Sequence, residues 1–75
     1  MTVNRLKDVR EDNDFTQSHI ARILQVSQQQ YSRWETGAFP MPIGCYMQLA
    51  ELYNISVDYL CGLIDTPRKL HETTR

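Results

Sequence analysis

The sequence predicts an all-α fold, a compact bundle of five helices, on three observations. Apolar residues recur at helical spacing, and no stretch alternates as a strand. Capping and stopping residues punctuate the chain at short intervals: Thr16, Ser27 and Ser56 before helical patterns, Asn13, Gly37, Asn54 and Gly62 after them. Seventy-five residues make one domain, close to the lower limit for folding without metal or disulfides.

The first helix is expected over residues 3–12, VNRLKDVRED, with Val3, Leu6, Val9 and Arg10 on one face and charges opposite. Asn13 follows as a residue that tolerates the left-handed conformation ending a helix. Thr16 caps the second helix, and Phe15 and Ile20 form a hydrophobic staple across its start. Ile20, Ala21 and Leu24 are its inward stripe. Ser27 caps the third helix, with Gln30 completing an S-x-x-Q capping box and Val26 and Tyr31 repeating the staple. Gly37 stops that helix, and the two prolines of Phe39-Pro40-Met41-Pro42 forbid its continuation. A fourth helix is expected from Ile43 to Tyr53, burying Tyr46, Leu49, Ala50 and either Leu52 or Tyr53. Asn54 ends it. Ser56 caps a short fifth helix through Cys61, stopped by Gly62. Residues 1–65 are thus one domain, and residues 66–75 form a frayed tail without apolar period.

The third helix has two unlike sides. At about 100° per residue, with Gln28 at zero, Ser32 falls near ~40°, Gln29 near ~100° and Arg33 near ~140°. Tyr31 and Trp34 fall near ~300° and ~240° on the same geometry. The aromatic pair anchors the helix while Gln28, Gln29, Ser32 and Arg33 point outward. Glutamine can both give and take hydrogen bonds at adenine, and arginine can donate to guanine O6 and N7. A solvated polar face is the plainer reading of the same residues. Two short helices joined by a tight break, the second bearing such a face, suggest a helix-turn-helix entering the DNA major groove.

Charge tempers that reading. Eight Lys and Arg face nine Asp and Glu, a net charge of −1, whereas a free-standing DNA binder is often basic. The acids Asp8, Glu11, Asp12 and Asp14 concentrate around the end of the first helix, so distribution matters more than the sum. No apolar run approaches the roughly 18 residues of a membrane span, and no signal-peptide core opens the chain. A soluble cytoplasmic protein is the expectation. Cys45 and Cys61 lack any CxxC spacing, and His19 and His71 are too scattered to complete a site. They are read as reduced thiols packed as small hydrophobes, with no metal or cofactor.

The residues that carry a family pattern are Leu6 and Arg10, then Thr16-Gln17 and Ala21, then Val26-Ser27-Gln28 opening the third helix. Tyr31, Ser32, Trp34, Glu35 and Gly37 continue it, followed by Leu49-Ala50, Tyr53-Asn54 and Ser56-Val57-Asp58-Tyr59-Leu60. Over residues 3–63 the chain resembles the Xre/Cro-type helix-turn-helix family of bacterial and phage repressors. That resemblance implies a lambda-repressor-like five-helix domain binding operator DNA, commonly as a symmetric dimer. The family's base contacts map onto Gln28, Gln29 and Arg33, with Ser32 or Gln30 more variable. Gln17 matches a position that holds a phosphate and buttresses the first recognition glutamine, as the free N–H groups at a helix start allow. Ile43 and Gly44 match a second phosphate contact through backbone amides, and Arg10 and Glu35 match a structural pair.

Three departures from the pattern matter. Gln25 stands where the turn between the two helices usually has glycine, and must accept a positive φ at about 1 kcal/mol or the turn must differ. Ala38, Phe39, Pro40 and Met41 replace a connector that often carries basic residues. Gly44, in the first turn of the fourth helix, gives up some helicity but lets another backbone approach.

These readings point to a sequence-specific regulator of transcription, most simply a repressor, on a palindromic duplex site as a homodimer. Val57, Tyr59, Leu60, Leu63 and Ile64 are the candidate dimer surface, with core packing the alternative for Leu60. A protein-interaction module of the same fold, such as an antitoxin or a polymerase-contacting adaptor, is the competing class. The charge and the non-basic connector favour it, although the tail RKLHETTR is short for a toxin-binding segment. No catalytic constellation and no small-molecule substrate are evident, because Gln/Arg faces supply no general base.

Overall fold

Leu6, Val9 and Arg10 turn inward from the first helix, α1 (Leu6–Asp12). In the computed structural model, which describes residues 4–64 and residue 69, α1 starts at Leu6 rather than residue 3. The backbone before it is committed elsewhere. The Asn4 Oδ1 accepts from the Leu6 N–H at 3.1 Å, and its Nδ2 donates to the Trp34 carbonyl at 3.0 Å. The Arg5 N–H donates to the Leu60 carbonyl at 2.8 Å, tying the chain's start to its last helix. A local asparagine turn of this kind competes with the helix that the apolar period suggested. Val3, expected in the same helix, lies outside the described residues.

The left-handed residue after α1 is Asp14, at φ 61°, and not Asn13, at φ −100°. Asn13 instead bonds back into the helix, its Nδ2 donating to the Val9 carbonyl at 2.8 Å. The Phe15 N–H then reaches the Arg10 carbonyl at 3.1 Å, closing the end in the Schellman pattern.

Two helices follow, α2 (Gln17–Leu24) and α3 (Gln28–Thr36). Thr16 Oγ1 accepts from the His19 N–H at 3.1 Å, and Ser27 Oγ from the Gln30 N–H at 3.0 Å, so both expected caps are made. Between them Gln25 takes the left-handed conformation itself, φ 62° and ψ 42°. Gly37 ends α3 at φ 83°. The fourth helix, α4 (Ile43–Tyr53), ends at left-handed Asn54, and the short α5 (Val57–Leu60) is capped by Ser56, whose Oγ accepts from the Tyr59 N–H. Cys61 is the residue just past α5 rather than its last turn.

The core gathers Leu6, Val9, Ile20, Ala21, Leu24, Tyr31, Trp34, Met41, Leu49, Ala50 and Leu60. Tyr53 packs against it from α4, beside the Phe15 ring at 6.1 Å, while its neighbour Leu52 is exposed. Tyr46 is half-buried. Leu60 is wholly buried and so belongs to the core, not to a dimer surface. Leu63 is 76% exposed, and Val57, Tyr59 and Ile64 are half-buried. Cys45 and Cys61 are free thiols, both half-buried. The expected domain end at residue 65 and the tail beyond it, Lys69 apart, lie outside the described residues.

Candidate nucleic-acid interface

The inward side of α3 carries two aromatic side chains, Tyr31 and Trp34, and the carboxylate of Glu35. Tyr31 is completely buried, and its ring meets Trp34 edge to face, centroids 6.5 Å apart and planes at 85°. Anchoring α3 by that side leaves Gln28, Gln29 and Arg33 exposed on the other, with Ser32 half-buried between them. These four residues and Gln17 from α2 line one shallow depression of about 510 Å³. The expected base-contacting set is therefore contiguous.

Ile43 and Gly44 stand outside that depression, at the start of α4. Pro42 precedes them and supplies no side-chain cap, so nothing from that residue covers their amides. Ile43 is exposed, and no atom lies within 4 Å of where a Gly44 side chain would begin. The space beside Gly44 is open for another backbone or a phosphate. Pro42 also lines a neighbouring cleft of about 270 Å³, with Gln30, Arg33, Trp34, Phe39 and Pro40. That cleft shares Arg33 with the α3 depression.

Beneath the outward face runs a buried polar link. Arg10 Nε donates to Glu35 Oε2 at 2.6 Å and its Nη2 to Oε1 at 3.3 Å, while Nη1 donates to the Phe15 carbonyl at 2.8 Å. Gln17 Nε2 donates to Glu35 Oε1 at 3.0 Å. Gln17 thus joins the Arg10–Glu35 pair instead of standing free at the surface. Its Nε2 carries a second hydrogen, and one donor remains for an outside acceptor. Burial alone would raise the Glu35 carboxyl. Hydrogen bonds from Arg10 and Gln17, together with the Arg10 charge, outweigh it and hold the group below its ordinary value. The Tyr31 hydroxyl is pushed far up by burial first and by Glu35 second, so it stays protonated. Three helices, α1, α2 and α3, converge on this one carboxylate.

The sequence profile of the helix-turn-helix family matches residues 6–60, from α1 to the end of α5. The chain belongs to the helix-turn-helix family. An uncharacterized HTH-type transcriptional regulator of Bacillus subtilis (strain 168), YobD, is 31% identical over 67 residues, covering 89% of this chain and 60% of that protein. The HTH-type transcriptional regulator ImmR of the same strain is 31% identical over 65 residues, covering 87% of this chain and 51% of its own. The chain spans between half and three fifths of the length of these relatives. No solved structure matches it.

Two features of this helix-turn-helix unit concern its turn and its connector. Its turn is built with Gln25 in the left-handed region, and the Val26 N–H donates to the Ala21 carbonyl at 2.9 Å to close α2. Its connector carries an aromatic residue to which the sequence reading gave no role in the site. Phe39 is 51% exposed, and the Arg33 guanidinium sits over its ring at 5.7 Å. The available signal was position: a phenylalanine just after the stop glycine and before a proline is outside every helical period and has no core to join.

Proposed function

We propose that this chain is a sequence-specific DNA-binding regulator of transcription, most simply a repressor, that lays α3 in the major groove. One observation carries the reading: Gln28, Gln29, Ser32 and Arg33 share an open depression while Tyr31, Trp34 and Glu35 are buried on the far side of the same helix. Such an arrangement projects donors and acceptors at the height of base edges and holds them on a rigid element. Gln28 and Gln29 suit adenine and Arg33 suits guanine, each good bidentate pair discriminating by about 1–3 kcal/mol. Gln17 and the amides of Ile43 and Gly44 grip phosphates on either side. A homodimer on an imperfect palindrome places two copies of α3 about one DNA turn, ~34 Å, apart. Both relatives are named as HTH-type transcriptional regulators, which supports the same reading. No catalytic residue, metal or cofactor enters it.

Selection from random duplex DNA by the purified chain tests the proposal. A recovered palindrome is the expected result, with Gln28→Ala and Arg33→Ala each relaxing one base position. Unchanged base preference in both variants would remove α3 as the reader.

A second reading, a protein-binding module on the same scaffold, is favoured by the net charge of −1 and by exposed Phe39, Ile43 and Met47 at the connector and α4. Negligible affinity for random DNA at two salt concentrations would support it.

A further inference from the structure

Arg33 stands between two concavities, lining both the depression of Gln28 and Gln29 and the cleft of Trp34, Phe39 and Pro40. Its guanidinium lies 5.7 Å from the centre of the Phe39 ring, within reach of a cation–π attraction. The backbone places that ring firmly. Gly37 turns the chain at φ 83°, and the Phe39 N–H donates to the Arg33 carbonyl at 3.3 Å. Pro40 confines Phe39 to extended geometry, and Met41 is buried in the core directly after it. The side chain is about half exposed and outside the core, so core burial does not explain a phenylalanine there. A flexible arginine, by contrast, gains from a fixed platform, because ordering its rotamers on binding otherwise subtracts from affinity.

We propose that Phe39 is a positioning residue for base readout: its ring holds the Arg33 guanidinium poised at the edge of the recognition face, so that the connector helps set specificity at one base pair. The inference rests on the reading of α3 as the DNA-contacting helix. In the family pattern the connector often carries basic residues that can meet phosphate; here Ala38, Phe39, Pro40 and Met41 carry none. The connector's contribution passes through Arg33 instead.

The test uses the full chain, the duplex it recovers by selection, and that duplex with every base substituted in turn. Arg33→Ala first locates the base pair that Arg33 reads. Phe39→Ala and Phe39→Leu should then lower discrimination at that pair by about two- to fivefold, the size of an exposed cation–π contact, and leave the pairs read by Gln28 and Gln29 unchanged. Phe39→Tyr should keep discrimination, and Phe39→Ala should add nothing at that pair once Arg33 is alanine. Thermal unfolding of the free variants should match the parent, since the ring is outside the core. In the free protein, the Arg33 side-chain proton resonances should be ring-shifted and should relax in Phe39→Leu.

An affinity loss spread evenly over all sequences, or a Phe39→Leu variant that discriminates like the parent, would overturn the proposal. So would lost discrimination between thymine and uracil in Phe39→Ala, which would make the ring a direct reader of a methyl group. A parent chain with no base preference would overturn both this inference and the reading of α3. Normal preference with unshifted Arg33 resonances would overturn this inference alone.

Discussion

Glu35 holds its charge at 5% exposure, where an unpaired carboxylate is several kcal/mol unfavourable. It is tolerable because Arg10, itself 8% exposed, and Gln17 fill its oxygens with donors. Removing one member of such a pair leaves the other buried and uncompensated. Glu35→Ala should therefore lose about 3 kcal/mol or more of stability, a large part of a small domain's total, measured by urea unfolding. Arg10→Ala should resemble it, and the double variant should cost less than the two losses added. The pH dependence follows from the same group. The folded carboxyl lies below its ordinary value of 4.5, so the unfolded chain takes up protons first as pH falls. Its contribution is complete above about pH 5 and declines as pH drops through the folded value. A Glu35→Gln variant should therefore show a flatter stability profile than the parent below about pH 5, and parallel profiles would contradict this assignment.

At the scale of elements, helix ends decide the geometry, and they were unevenly legible. Gly37, Asn54 and Gly62 announce left-handed stops because glycine and asparagine reach that region easily, and all three adopt it. Gln25 was legible only through the family resemblance, as the residue standing where the turn usually has glycine. Asp14 was missed because Asn13, the better left-handed residue by type, stands beside it and spends its side chain on Val9 instead. The start of α1 was missed because its determinants are tertiary: Asn4 and Arg5 bond to Trp34 and Leu60, 30 and 55 residues away. The outward set on α3 was readable from rotation alone, since two large aromatics fix which side is inside. Phe39 was not, because connectors have no period to read. Two backbone substitutions test this account. Gln25→Gly should raise stability by about 0.5–1 kcal/mol, shifting the melting midpoint up by a few degrees without moving α2 against α3. Gly44→Ala should raise the free protein's stability by up to about 0.5 kcal/mol, because the new methyl meets nothing within 4 Å. The same alanine should weaken DNA binding if phosphate approaches the α4 amides there, and equal affinity would place the phosphate elsewhere.

For the whole molecule the question raised by the proposed function is how a chain of net charge −1 would grip a polyanion. Most DNA-binding domains obtain affinity by releasing counterions with lysine and arginine, which makes binding steeply salt-dependent. Here the proposed phosphate contacts are a glutamine side chain and two backbone amides, none of which carries a full charge. Arg33 is assigned to a base, and the acids Asp8, Glu11, Asp12 and Asp14 are exposed along α1 and just past its end. Long-range attraction is therefore weak, and selectivity must come from hydrogen bonds that form only in register. Two consequences can be measured together. Affinity for random duplex should be poor even at low salt, so the ratio of specific to non-specific binding should be high. For the selected duplex, the plot of log affinity against log salt should be shallow, with a slope of magnitude about 1–3 per dimer. A magnitude near 6 or more would mean that several cations meet phosphate, and the assignment of phosphate contacts to Gln17, Ile43 and Gly44 would fail even with α3 correctly in the groove. Dimerisation bears on the same measurement. Leu60 is sealed in the core while Leu63 stands exposed beyond α5, so of these two only Leu63 is available to a second protomer. Binding to a half-site duplex should then show half the slope of the full palindrome, each protomer contributing the same few contacts.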